Sequence, residues 1–222
     1  MSVNKFDTQL AKQIASELLA IEAIKINLEN PYTWASGWKS PIYCDNRLSL
    51  SFPSTRTLIK ESLAKLIKEK YPNAEAIAGV ATAGIPQGAL VADYLDLPFI
   101  YIRSKSKAHG LENQVEGLTR PDQKVVILED LVSTGGSSLQ ASEAIRAAHM
   151  EVLGMVSIFT YGFPISVENF KSHNIDLWYL SDYNTMIDLG MENGSLIEDQ
   201  LATLKAWRTN PAQWGNEVEE TA

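Results

Sequence analysis

The sequence predicts an α/β fold: a mostly parallel central sheet flanked by helices. Three observations predict it. Five apolar segments, EAIAGV (75–80), LPFIYIR (97–103), KVVILED (124–130), EVLGMVSIF (151–159) and IDLWYL (175–180), read as strands, and runs of this kind suit strands buried on both faces. Helical candidates follow several of them, the alternation that builds parallel βαβ units. At 222 residues and 45% hydrophobic, the chain can bury one sizeable core. No repeat, linker or composition shift divides it, so one domain over 1–222 is expected.

Taken in order, Phe6, Leu10, Ile14 and Leu18 recur every four residues and lie on one face of an N-terminal helix. PYTWASGWKSPIYCDNRLSLSF (31–52), rich in aromatics, Pro and Gly, reads as short strands and turns. These segments form a small N-terminal part over about 1–50, ahead of a core over about 51–210. After Pro53, STRTLIKESLAKLIKEKY is a second packing helix. SLIEDQLATLKAWRTNPAQW (195–214) is a closing helix, and the acidic tail GNEVEETA (215–222) is expected to fray.

Charge and cysteine content narrow the function classes. With 19 Lys+Arg against 27 Asp+Glu, a net charge of -8 argues against broad contact with nucleic-acid phosphates. A polyanionic ligand must therefore be held by a local site. The start, MSVNKFDTQLAKQ, lacks a basic segment followed by an apolar one, and no apolar run approaches the ~20 residues that span a bilayer. A soluble cytoplasmic protein with no membrane partner is expected. Cys44 is the only cysteine, which excludes an intramolecular disulfide, and it has no metal-ligand spacing around it.

Open α/β sheets bind ligands beyond the carboxyl ends of their strands. That rule selects three loops together: ATAGIP (81–86), SKSKAHGLENQVEG (104–117) and DLVSTGGSS (130–138). In the third, backbone N–H groups of Ser133, Thr134, Gly135, Gly136 and Ser137 converge at the start of a helix beginning near Ser138, whose dipole favours an anion. The two glycines let the backbone approach a phosphate, and three hydroxyls add donors. It is not a Walker A loop, since no lysine follows the glycines. Glu129 and Asp130, immediately before this cradle, would repel a phosphate ligand unless vicinal sugar hydroxyls or a divalent cation compensate. In the second loop Arg103, Lys105, Lys107 and His109 crowd into one segment of an acidic chain. Seen alone that is a solvated turn, but its place between two strands pointing to the same edge favours a site.

The stretch VVILEDLVSTGGSS (125–138) resembles the signature of the type I phosphoribosyltransferases. SGWKSPIYCDNR (36–47) and YIRSKSKAHGLENQVEG (101–117) narrow the resemblance to the bacterial orotate phosphoribosyltransferases, over roughly residues 30–210. The resemblance implies the type I phosphoribosyltransferase fold with a small N-terminal hood. It also implies Mg²⁺-dependent transfer of ribose 5-phosphate from 5-phosphoribosyl 1-pyrophosphate to orotate, giving orotidine 5′-monophosphate and pyrophosphate in UMP synthesis. The substrate phosphates and ribose would lie on Glu129, Asp130, Leu131, Val132, Ser133, Thr134, Gly135, Gly136 and Ser137. Arg103, Lys107 and His109 match pyrophosphate contacts, the last two delivered across a homodimer interface onto a shared site. Thr82 and Ala83 match a loop whose amides face the leaving group. Ser133 and Tyr43 match orotate contacts, and Cys44 stands where a second aromatic often occurs. Glu129 and Asp130 then hold ribose hydroxyls or stabilise ring charge, while Mg²⁺ arrives with the substrate and has Glu129 and Asp130 as candidate ligands. Positive charge grows on the ribose and negative charge on the departing pyrophosphate, so Lys107 and the rest of the cationic loop stabilise the leaving group, with His109 suited to general acid work. Gly110, Gly117 and the polar residues between them suit a lid that excludes water.

The sequence departs from the enteric form of this family. Ala35, Ala83 and Ser104 stand where that form has lysines, and FTYGFPISVENF offers no arginine for orotate. A second bacterial branch shares these replacements, and Lys39, Arg47 and Lys105 are candidates to supply the missing charge. A purine or uracil phosphoribosyltransferase shares the cradle and differs in hood and lid. A non-catalytic sensor of phosphoribosyl pyrophosphate is disfavoured by the complete cationic lid.

Overall fold

A computed structural model describes residues 2–34, 36–104 and 114–214. Along the chain, β1 (Val3–Lys5) leads into α1 (Thr8–Ala20), and the hood follows as β2 (Ile24–Ile26), β3 (Tyr32–Thr33), β4 (Lys39–Ser40) and β5 (Ile42–Cys44). A 3-10 helix, Asn46–Ser51, and α2 (Pro53–Lys70) lead to β6 (Ala76–Val80), α3 (Gly84–Leu95), β7 (Phe99–Ile102) and β8 (Val115–Glu116). Then come β9 (Lys124–Val132), α4 (Gly136–Ala147), β10 (Glu151–Thr160), α5 (Pro164–Ser172), β11 (Leu177–Asp182), α6 (Tyr183–Glu192) and α7 (Glu198–Thr209).

The main sheet runs β1-β11-β10-β9-β6-β7-β8. Every pairing is parallel except β7 with β8. The five expected strands are its five central members. Alternate residues of each strand face opposite layers, the period-2 rule of a pleated sheet. Ile77, Val126, Leu128, Val156, Ile158 and Leu180 face α1, α2, α3, α6 and α7. Ala76, Ala78, Val125, Ile127, Met155 and Leu177 face α4 and α5.

Two sequence expectations shift at the N-terminus. Phe6 is not on the helical face, because Asp7 caps α1 by accepting from the Leu10 amide and the preceding residues are extended. Those residues form β1, which pairs with β11. Residues 3–20 therefore belong to the main sheet and its helix layer, and the hood is confined to the two short antiparallel pairs β2–β5 and β3–β4.

The hood is fastened by aromatics. Trp34 donates from Nε1 to the Ile42 carbonyl at 3.1 Å, and the fully buried Trp207 of α7 donates to the Lys39 carbonyl at 3.1 Å. Trp34 packs on Tyr161 at 4.9 Å and edge-on to Trp207 at 5.8 Å between ring centres. Tyr161 and Phe163 alternate beyond β10 and stack at 5.5 Å. Burial of one such ring contributes on the order of 4–6 kcal/mol. Arg208 adds hydrogen bonds to the carbonyls of Gly162 at 2.8 Å and Tyr161 at 3.4 Å.

Candidate active site

All three suspect loops emerge at the carboxyl ends of β6, β7 and β9. β9 ends at Val132, whose side chain is core and whose carbonyl accepts from Tyr161 N and Thr160 Oγ1, both at 3.1 Å. The chain turns over Ser133 and Thr134, and Gly135 takes a left-handed φ of 85° as the N-cap of α4. Helix α4 starts at Gly136, not near Ser138, so Gly136, Ser137 and Ser138 are its first turn. The Leu139 amide bonds the Gly135 carbonyl at 2.9 Å. The preceding helix amides have no earlier carbonyl to meet and point out of the helix end. Asn169 Nδ2 of α5 holds the Thr134 carbonyl at 3.0 Å, which pins the loop from outside.

Glu129 is 6% exposed, with Ser138 Oγ donating to its carboxylate at 3.3 Å. Burial, and then the charge of Asp130, push its proton affinity well above the usual carboxylate range. Burial also raises Asp130, partly offset by its hydrogen bonds. Two adjacent carboxylates, Glu129 buried and Asp130 half-buried, with little local compensation match a site completed by ligand hydroxyls or a cation.

A cavity of about 390 Å³ opens against this edge, lined by Thr33, Trp34, Tyr43, Cys44, Leu131, Ser133 and Tyr161. It brings Tyr43, Cys44 and Ser133 together, with Trp34, Leu131 and Tyr161 as aromatic and apolar walls. Tyr43 is 40% exposed and tilted against Tyr32 at 5.4 Å, so it is a wall residue and not core. Cys44 is a half-buried wall residue whose thiol is pushed up by burial. Trp34 and Tyr161 escaped sequence reasoning because their spacing signals only a packed core.

A smaller crevice of about 50 Å³ joins Ala81, Arg103, Ser104 and Ser137. Here the three loops meet. Arg103 lies 3.6 Å from Glu116 and its Nη1 is buried without a hydrogen-bond partner among the described residues. Thr82 is exposed and Ala83 half-buried, preceding α3, and the Ala81–Thr82 peptide is cis. At Gly84 a Cβ would come within 2.6 Å of the Leu128 carbonyl, so close packing of α3 on β9 requires the glycine.

Of the candidate replacement cations, Arg47 is held by Asp45 through two bonds of 2.6 and 2.8 Å, so its charge is already compensated. Lys39 Nζ donates to Thr33 Oγ1 at 2.9 Å, on the wall of the larger cavity. Lys105, Lys107, His109, Gly110 and Ala35 lie outside the described residues.

Residues 53–174 match the phosphoribosyl transferase domain family. The chain is 54% identical over 203 residues to an orotate phosphoribosyltransferase of Cytophaga hutchinsonii, covering 91% of this chain and 97% of that one. It is 52% identical over 204 residues to that of Bacillus subtilis, covering 91% and 94%. The structure of orotate phosphoribosyltransferase from Aeropyrum pernix superposes with a TM-score of 0.71 at 26% identity, covering 83% of this chain and 99% of that one. With near full-length identity above half and this fold, the chain belongs to the orotate phosphoribosyltransferases of the phosphoribosyl transferase domain family.

Proposed function

We infer that the chain transfers the ribose 5-phosphate group of 5-phosphoribosyl 1-pyrophosphate to orotate, giving orotidine 5′-monophosphate and pyrophosphate. One observation carries this reading: an aromatic-walled cavity opens beside Ser133 of a phosphate cradle, with the acidic pair Glu129 and Asp130 immediately before it at the end of the same strand. A pyrimidine fits the first, a sugar phosphate the second, and the ribose that joins them the third.

Each residue then has a task. The amides from Ser133 to Ser137 and the helix dipole hold a phosphate. Glu129 and Asp130 accept hydrogen bonds from the ribose hydroxyls and stabilise the positive charge that grows as the anomeric carbon parts from pyrophosphate. Arg103, with donors to spare beside Ala81 and Ser137, meets the departing negative charge. Lys107 and His109 complete that role from the neighbouring subunit of a homodimer. The proposed setting is the cytoplasm, where both anionic substrates dissolve; among the described residues no helix is long and apolar enough to cross a membrane.

Mg²⁺ fits the donor set. Among the described residues no group of three His, Cys, Asp or Glu side chains could cage an ion. Mg²⁺, however, takes one or two carboxylates and completes its shell with water and substrate phosphate. Glu129 and Asp130 would supply those carboxylates, and the ion would neutralise pyrophosphate as it leaves.

The test is loss of orotate absorbance with phosphoribosyl pyrophosphate and Mg²⁺, for wild type, Lys107→Ala and Asp130→Asn. Wild-type turnover and deep deficits in both variants are expected. Mixing the two variants should restore about a quarter of the wild-type rate, since half the dimers are mixed and each carries one whole site. Consumption of uracil, adenine, guanine or hypoxanthine in place of orotate would overturn the reading.

A further inference from the structure

The base cavity is walled partly by the hood and partly by the segment that carries the acidic pair, and one side chain ties the two together. Asn46 opens the 3-10 helix and is 1% exposed. Its Nδ2 donates to the main-chain carbonyl of Asp130 at 2.7 Å, and its Oδ1 accepts from the Cys44 thiol on the cavity wall at 3.5 Å. The Asn46 carbonyl in turn accepts from Ser49 Oγ at 2.6 Å, and Ser49 Oγ accepts from Gln87 Nε2 at 3.0 Å. Ser49 is fully buried and Gln87 is 1% exposed. Gln87 lies on α3, the helix that follows the Ala81–Ala83 loop. A buried polar chain thus runs from the leaving-group side, through the 3-10 helix that follows the hood, to the acidic pair.

Packing does not account for this chain. Gln87 Oε1 is buried with no hydrogen-bond partner among the described residues, and an orphaned acceptor bears its full desolvation cost. An apolar side chain of similar volume would satisfy the core better. The amide is retained for what its other end holds.

We propose that Asn46 is a positioning residue for the transfer reaction, locking the Asp130 main chain against the base cavity, with Ser49 and Gln87 holding it in register. The proposal rests on the function inferred above. Peptide geometry links the Asp130 carbonyl to Leu131 and Ser133, which line the cavity, so a shift here misaligns ribose and base together. Misplacement of about 1 Å can cost ~100-fold in rate.

The experiment compares wild type, Asn46→Ala, Gln87→Met, Asp130→Asn and the Asn46→Ala/Asp130→Asn double variant. It reads kcat, both KM values and melting temperature. Asn46→Ala should lower kcat about 10- to 100-fold with each KM within about threefold of wild type. Gln87→Met should melt at or above the wild-type temperature and still lose several-fold in kcat. In the Asp130→Asn background, Asn46→Ala should cost less than about twofold, because residues acting through one another are not additive. An unchanged kcat in folded Asn46→Ala, or a loss that multiplies fully in the double variant, would overturn the proposal. If Asn46→Ala does not fold, an unchanged kcat in Gln87→Met does so. Absence of orotate turnover by wild type would instead sink the functional reading, and the proposal with it.

Discussion

Gly135 and Gly136 are adjacent, yet the structure assigns them opposite failures when each gains a methyl group. At Gly135 the backbone is left-handed, and an added Cβ would lie 3.0 Å from Cε2 of the buried Phe170. The left-handed geometry costs a non-glycine residue about 1–2 kcal/mol, and displacing a packed ring adds roughly 1–2 kcal/mol. At about 2–4 °C per kcal/mol for a chain of this length, Gly135→Ala should melt some 5–15 °C lower. Gly136 has helical geometry with nothing nearer than Thr134 Oγ1 at 4.0 Å, so its methyl group stands in open space. Gly136→Ala should match wild-type stability or exceed it by up to about 1 kcal/mol. The space it fills is where the backbone must approach a phosphate, so its KM for phosphoribosyl pyrophosphate should rise by about tenfold or more. Thermal unfolding without substrate, and initial rates at saturating orotate with Mg²⁺, separate the two effects. An unchanged KM in Gly136→Ala would refute the close-approach argument, and an unchanged melting temperature in Gly135→Ala would refute the left-handed account.

Three further outcomes are expected. Glu129 binds its proton more tightly in the folded chain than in the unfolded one, so its contribution to stability is complete below the unfolded value near 4.5 and is lost as pH rises through the folded value. Glu129→Gln should therefore raise the melting temperature at neutral pH, with the gain closing towards pH 4, while turnover falls; a pH-independent difference would count against this. Lys39→Ala should raise the KM for orotate, a substrate with a carboxylate to anchor, and unchanged kinetics would remove Lys39 as the missing cation. Trp207→Phe leaves the Lys39 carbonyl without its indole donor at about 1 kcal/mol, and steady-state rates should show a higher KM for orotate because the β4 hairpin loses its anchor.

The central strands and the cradle were legible because their signals are local. KVVILED is apolar without interruption, and ST-GG-SS between strand and helix has few other uses. Edge strands β1 and β8 were not legible, since two or three residues carry no period and become strands only by pairing with a neighbour. The cradle segment lies at a helix start as its composition implies, but the helix begins two residues earlier than its pattern suggests because Gly135 makes the turn. Tyr43 and Ser133 were found through a resemblance, whereas Trp34 and Tyr161 needed coordinates: a tryptophan in a hood and a tyrosine after a strand meet only once α7 has drawn them together. Asn46 was the least visible, because an asparagine in a turn is ordinary and its tie to Asp130 spans 84 residues.

The placement of β1 sets an order of events during synthesis. Its partner β11 lies across the whole chain, with the Ser2 amide reaching Asp176 over a separation of 174 residues. The first strand leaves the ribosome long before its neighbour exists, and the apolar face of α1, with Ile14 and Leu18, waits with it. Such distant closure slows folding and prolongs exposure of sticky surface. The base cavity waits longer still, because Trp207 and Arg208, which seat the hood and the strand behind it, are translated after the entire sheet. Translation that stops between Asp182 and Trp207 would thus yield a chain with all its strands but no anchored hood, unable to grip a base.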